Sequence, residues 1–354
     1  MSLKNNIFNE FREYVNSFNS LYSLSIFGAG SYGIKVYELL NEKGVSVKNF
    51  FDNNEKLWGT EVCDKRILNP ATIFGDISIL IASTWSDEIS TQLKENKNFK
   101  GKIYTIDPWF QIFDTTILDK DIKQLEFFYD KLEDENSKEV LINILKSRMS
   151  IEKFNKVGYE QYFHPIVSAT NKDIIIDGGA FVGDTIQALN KNDKLEDLQI
   201  HSFEPDDKNF LLLKNEAEKS KYKCFPIKLG LYDKNTTLRF LSTNQTVGYG
   251  CKIENTGDIV IHTTSIDNYC RENNLVPSFI KLDVEGVEKE VLIGAKNVIQ
   301  KYKPKLAISL YHKYKDLWEL PYLINEISSE YKFYLGHHRN NWFETILYAY
   351  PIEK

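Results

Sequence analysis

The chain has 354 residues, room for two domains of ordinary size, and 42% of them are hydrophobic, enough for two sizeable cores. Its formal net charge of −6 excludes a general binder of nucleic-acid backbones, which needs a basic face. Four cysteines (Cys63, Cys224, Cys251, Cys270) stand far apart with no CxxC pair and no zinc spacing, as expected of reduced thiols in a cytoplasmic protein.

The opening MSLKNNIFNEFREYV lacks the apolar core of a signal peptide, and no apolar run approaches the ~18 residues of a membrane helix. A soluble, intracellular chain without a membrane span is expected. The stretch LYSLSIFGAGSYGIKVYELLNEKGVSVKNFFDNN then reads as a strand (23–27), a glycine turn, a helix (32–43) and a strand (47–51). Further strands are predicted at 77–82 and 102–106, with a helix near 87–95. Such alternation makes a parallel sheet with crossover helices, here over residues 1–114.

The glycine turn of this first unit is Gly28-Ala29-Gly30-Ser31-Tyr32-Gly33, a GxGxxG between strand and helix. The spacing suits a nucleotide phosphate, and Asp52 ends the next strand where a ribose-binding acid belongs. A tight turn that binds nothing is the alternative. Residues 115–158 carry apolar residues at helical spacing (Ile122, Leu125, Phe128, Tyr129; Val140, Leu141, Ile144, Leu145) and are expected to form a helical linker.

A second α/β unit is predicted over 159–354. Its strands fall at 173–177, 199–204, 223–228, 279–283 and 305–311, with a hairpin-rich insert at 230–262. The tail YKFYLGHHRNNWFETILYAY reads as two strands around an Asn-Asn turn, an antiparallel finish to a parallel sheet.

The second glycine loop is Asp177-Gly178-Gly179-Ala180-Phe181-Val182-Gly183, a DxGxxxG without the Lys-Ser/Thr of a triphosphate loop. A carboxylate at a strand end repels phosphate and suits a cation, and the bare turn lets a flat ligand lie against the backbone. Glu204 should end the neighbouring strand, where it can accept hydrogen bonds from both hydroxyls of a ribose. S-adenosylmethionine meets these demands: an ammonium for the acidic loop, a ribose for Glu204, and an adenine for the apolar segment Leu229–Asp233, which includes Gly230 and Leu231.

Three further segments carry a resemblance. FIKLDVEGVEKEVLIGA follows Glu204-Pro205, and LYHKYKDLWELP and YLGHHRNNWFETILYA close the chain. With DGGAFVGDT and the lead-in YEQYFHP, they resemble the FkbM family of S-adenosylmethionine-dependent methyltransferases over residues 159–350. The resemblance implies a class I methyltransferase fold for the C-terminal unit, with the antiparallel terminal strand read from the tail; the first unit, outside the family pattern, reads from its alternation as a second doubly wound Rossmann-like α/β domain. The resemblance further implies methyl transfer to a hydroxyl, often on a sugar or natural-product scaffold. It also places Asp177, Gly178, Gly179, Ala180, Phe181, Gly183, Asp184 and Thr185 around the methionine and ribose of the cofactor, with Glu204-Pro205 on the ribose.

Methyl transfer to a poor nucleophile asks for a base or metal beside the acceptor oxygen. Asp283, ending the fourth strand, and Glu285, at the start of a helix over 287–299, are candidates for the base or for a shared Mg²⁺. Helix capping is the structural alternative. His312, after the fifth strand, would serve as a neutral imidazole base. His337 and His338 alternate along a strand, so one of them can face an acceptor. Lys281 shares a face with Asp283 and could pair with it. Tyr162, Phe163 and Phe181 are candidate cofactor walls or ordinary core, and His164 before a proline reads as a turn residue.

The expected partners are a small molecule or glycan, including a nucleotide-sugar, and an oligomer is left open. The competing reading is a nucleotide-sugar- or NAD-binding protein, or an oxidoreductase, run by the first loop; Phe51-Asp52-Asn53-Asn54 resembles the strand end of nucleotide-sugar-binding domains. No Tyr-x-x-x-Lys of the short-chain reductase kind follows there. A nucleic-acid methyltransferase is disfavoured, since LDVEG stands where an Asn/Asp-Pro-Pro-aromatic run grips a flipped base.

Overall fold

The computed structural model describes residues 3–107, 111–240 and 259–352. The centre of the predicted insert (241–258) and Cys251 lie outside the described residues. The chain divides into two units. One comprises Met1–Glu126, Leu141–Asn155 and Asn340–Trp342; the other comprises Phe127–Val140, Lys156–Arg339 and Phe343–Lys354.

The first unit opens with a helix the pattern reading overlooked, α1 (Leu3–Asn19). Ile7, Phe8, Phe11, Val15 and Phe18 recur on one face, and all are buried. Then follow β1 (Ser23–Phe27), α2 (Ser31–Glu42), β2 (Ser46–Phe51), β3 (Glu61–Val62), β4 (Lys65–Leu68), β5 (Ile79–Ile81), α3 (Ser86–Glu95) and β6 (Ile103–Thr105). They make a six-stranded sheet in the order β3-β4-β2-β1-β5-β6. All its neighbours are parallel except β3 and β4, a hairpin whose turn residues Cys63 and Asp64 both have positive φ. The stretch read as a helical linker holds α4 (Asp119–Lys131) and α5 (Glu135–Arg148), each of which contributes residues to both units.

The second unit continues with β7 (Ile174–Gly178), α6 (Asp184–Asn190), β8 (Gln199–Phe203), α7 (Asp207–Lys219), β9 (Lys223–Ile227), β10 (Gly230–Leu231), β11 (Thr236–Phe240) and β12 (Ile259–Thr264). It closes with α8 (Ile266–Glu272), β13 (Phe279–Leu282), α9 (Glu288–Gly294), α10 (Lys296–Tyr302), β14 (Lys305–Ser309), α11 (Asp316–Ile327), β15 (Tyr331–His337) and β16 (Thr345–Pro351). The main sheet has seven strands in the order β15-β16-β14-β13-β7-β8-β9. Strands β14 to β9 run parallel, and β16 and β15 are antiparallel, as the tail pattern predicts. Pro226 is tolerated in β9 because that strand is an edge.

Strands β7, β13 and β14 are buried on both faces and read as apolar runs. Their carboxyl ends share one sheet edge, and a ligand crevice in an open α/β sheet forms at that edge. The helix expected over 287–299 is two helices. Gly294 ends the first one against the chain after β10, where a Cβ would lie 2.3 Å from the Tyr232 carbonyl oxygen.

Candidate active site

Asp177 points into the sheet, fully buried, and Lys281 lies directly opposite it on β13. The Lys281 Nζ sits 3.0 Å from Asp177 Oδ1 and donates to the carbonyls of Gly178 (3.2 Å) and Gly179 (2.7 Å). The hydroxyls of Thr185 (3.3 Å) and Ser202 (3.4 Å) donate to the same carboxylate. Two sequence expectations change here. Lys281 pairs with Asp177 rather than Asp283. The Asp177 charge is taken up inside the protein, so it braces the turn instead of facing a ligand's ammonium. Burial disfavours the Lys281 cation, but Asp177, then Asp283 and Asp184, outweigh it and hold the pKa above its usual value.

The turn itself is pressed flat. Gly179 has φ +71°, and a Cβ there would lie 1.9 Å from the Asp283 carbonyl oxygen. The amides of Gly179 and Ala180 both donate to the Phe203 carbonyl, at 3.1 and 3.0 Å. The Phe181 ring stands 53% exposed, and its amide donates to Glu204 Oε2 at 3.0 Å. Glu204 Oε1 accepts from the Asp206 amide at 2.9 Å. Burial pushes the Glu204 carboxyl up to about 7, against the pull of those two amides. Gly183, left-handed at φ +91°, leads into α6, where Asp184 is exposed and Thr185 buried. Pro205 is half-buried, and Gly230 and Leu231 lie buried beside the turn, the Leu231 side chain lining Gly178.

The second cluster lies at the ends of β13 and β14. Asp283 accepts from the Tyr311 hydroxyl (2.8 Å) and the Tyr162 hydroxyl (3.3 Å). The buried ring of His312 has Nε2 3.5 Å from Asp283 and 3.4 Å from Glu285, and Nδ1 2.8 Å from Glu288 Oε1. Glu288 Oε1 also accepts from the Val284 amide at 2.9 Å, which fixes its position. Asp283, Glu288 and His312 bring one ligating atom each within 4.8 Å of the other two.

The sequence offers His312 as a neutral imidazole base, and its surroundings bear on that charge. Burial opposes its charge, but Glu288, Asp283 and Glu285 together raise it to about 10, so the imidazolium itself supplies the positive charge the acids demand. Burial pushes Asp283 up, and His312 and Lys281 overcome it, leaving the carboxyl below its usual range. Glu285 behaves differently. Burial raises its carboxyl to about 7, with His312 pulling it down and Asp283 pushing it up. Its side chain is 45% exposed against 22% for Asp283 and 1% for Glu288. Glu285 also stands in a left-handed turn at φ +55°, outside the helix that begins at Glu288. Neither it nor Asp283 caps that helix, whose N-cap is Val287.

Glu288, Tyr311 and the Tyr162 hydroxyl are site groups the sequence reading did not assign. Glu288 looks like any first-turn acid of a helix, and only the fold brings it to a histidine in the next crossover. Tyr162 and Phe163 line a small cavity with Thr185, Phe279 and Lys281. His337 is buried with Nδ1 2.7 Å from the Thr345 hydroxyl, and His338 reaches the Tyr348 hydroxyl at 2.9 Å. His164 accepts from the amides of Ile166 and Val167, as a turn residue does.

In the first unit, Gly28 (φ +113°) and Gly33 pack so closely that a Cβ would meet the carbonyl oxygens of Ala82 and Gly28 at 2.4 and 1.9 Å. Gly30 caps α2. Asp52 closes on the same turn, accepting from the Ala29 amide and the Asn54 amide, both at 2.8 Å.

Residues 177–340, which span both clusters of the second unit, match the sequence profile of the methyltransferase FkbM domain. These residues form an FkbM methyltransferase domain. No curated protein matches the chain. Among solved structures, a crystal structure of methyltransferase FkbM from Methylobacillus flagellatus KT is similar at TM-score 0.60 and 17% identity, covering 98% of this chain and 99% of its own. Precorrin-6y C5,15-methyltransferase from Geobacter metallireducens shares 9% identity at TM-score 0.32, over 52% of this chain and 82% of its own. The FkbM domain thus holds the Asp177 turn, Glu204 and the His312 cluster on one sheet edge. Among the described residues no helix is long and apolar enough to cross a membrane.

Proposed function

We propose that the chain is an S-adenosylmethionine-dependent O-methyltransferase acting on a hydroxyl of a carbohydrate or related small molecule. One observation carries the reading: a side-chain-free turn with a carboxylate, Glu204, beside it stands on the same sheet edge as an acid–histidine cluster. The Gly178–Phe181 turn suits a flat ligand because its glycines leave the backbone bare and the Phe181 ring is open to solvent. Glu204 uses one lone pair of each oxygen on backbone amides and keeps the others for two ribose hydroxyls. Gly230 and Leu231 would wall the adenine, and the exposed Asp184 would face the ammonium.

When bound, S-adenosylmethionine supplies an electrophilic methyl on a sulfonium, a good leaving group. The protein's own work is placement and proton removal. Glu285 takes the proton from the acceptor hydroxyl, since it is the most exposed of the clustered acids and stands 3.4 Å from His312 Nε2. His312, held charged by Glu288 and Asp283, aims Nε2–H at Glu285 and Asp283 and restrains both carboxylates. Glu204 lies near enough to Glu285 for its charge to be felt there, which ties the donor end of the crevice to the acid end. The unpaired thiols of Cys63, Cys224 and Cys270 suit the cytoplasmic location this reading carries. The reading in which the GAGSYG turn runs the chemistry has less support, because the family profile covers residues 177–340 and not that turn.

Calorimetry with S-adenosylmethionine tests the donor, and mass spectrometry after incubation with nucleotide-sugars and glycans tests the acceptor. Binding by wild type that falls at least tenfold in Glu204→Ala, and a gain of one methyl on one panel member, are expected. Undiminished donor binding in Glu204→Ala would count against the site.

A further inference from the structure

A cavity outside that site lies within the first unit, with a volume of about 320 Å³, at the lower end of small-molecule sites. One side is α3, which presents Asp87, Ser90, Thr91 and Lys94 at helical spacing. The other side is the end of α5, residues 150–154 and Trp342. Lys94 ties the two sides together by donating to the carbonyls of Ser150 and Ile151.

The floor is made of hydroxyls. Ser90, Thr105, Ser147 and Ser150 are all buried. Ser150 donates to Thr105 at 3.0 Å, and Ser147 to the Asn143 carbonyl at 2.7 Å. The Ser90 Oγ, on a residue only 6% exposed, has no hydrogen-bond partner in the protein. A buried hydroxyl left unpaired is destabilising, so its retention in a cavity wall marks a place where another molecule supplies the bond. At the rim, the partly exposed Trp342 indole is fixed by Phe154 (ring centroids 5.6 Å) and by the Arg148 guanidinium (5.6 Å).

We propose that this cavity is a binding site for a sugar ring or a similar neutral polyol. The hydroxyl floor disfavours an apolar guest. The acids on its wall (Asp87, Glu95, Glu152) outnumber the lysines (Lys94, Lys153), which disfavours a phosphate. What remains is a ligand dense in hydroxyls that both donate and accept, with a C–H face to lie on an indole. The site is independent of the methyl-transfer reading, since none of its residues belongs to the FkbM crevice.

Saturation-transfer NMR on the full chain, with methyl α-glucoside, N-acetylglucosamine and myo-inositol as probes, tests it. Transfer to at least one probe is expected in wild type. Thr91→Trp, on the exposed rim, should abolish it. Ser90→Ala should weaken affinity about two- to tenfold while leaving the melting temperature equal or higher, because an orphan hydroxyl is removed. S-adenosylmethionine binding should be unchanged in both variants. The proposal is overturned by absence of transfer to all three probes in folded wild type, by transfer that survives either variant unchanged, or by displacement of the sugar with inorganic phosphate.

Discussion

Replacing Lys281 by methionine keeps the stem and deletes the charge. The pair it breaks is sealed, with Lys281 at 2% and Asp177 at 0% side-chain exposure and 3.0 Å between charged atoms. At an effective dielectric of about 20, that separation corresponds to about 5 kcal/mol of attraction. Mutational experience with broken buried pairs gives a similar loss, about 3–5 kcal/mol, because the remaining charge stays buried. Thr185 and Ser202, at 3.3 and 3.4 Å, are too long to make up the difference. A domain holds about 5–15 kcal/mol in total, so Lys281→Met should leave the FkbM domain marginal in urea unfolding followed by circular dichroism. The double variant Lys281→Met/Asp177→Asn removes both charges and should recover more than half of the loss. A single-variant cost under about 1 kcal/mol, or a double-variant cost equal to the sum of the two singles, would refute this account of the turn.

Glu285→Gln should lower turnover about 10²- to 10⁴-fold with donor affinity nearly unchanged, measured by initial rates and calorimetry. Because Glu285 must be ionised to take a proton, wild-type kcat should climb as pH rises through about 7, and a flat profile there would remove it as the base. His312 gives a stability signature of the opposite sense. Its folded pKa, about 10, lies above the ordinary 6.5, so its contribution is complete below pH 6.5 and is lost as pH rises through about 10. The stability gap between wild type and His312→Gln, read from denaturant midpoints, should therefore narrow steadily between those two values.

Sequence patterning located the parallel strands well because β7, β13 and β14 are short, mostly apolar runs, and a glycine turn follows β7 directly. α1 is less legible, because Ile7, Phe8, Phe11, Val15 and Phe18 carry its periodicity but no acid stands in its first turn and no base in its last. The β3–β4 hairpin escaped since Cys63 and Asp64 turn with positive φ without the usual Asn-Gly signal. Side-chain partnerships were the least legible layer. Whether Lys281 meets Asp177 or Asp283 depends on the register between β13 and β7, and the charge of His312 depends on acids delivered by another loop. Neither follows from spacing along the chain.

The close approach of Gly179 to the Asp283 carbonyl leaves no room for a side chain between the Gly178–Phe181 turn and the loop after β13. On the proposed reading, altering either loop to admit a different acceptor would disturb methyl delivery and deprotonation together, so changes of substrate preference would have to come from walls outside this pair.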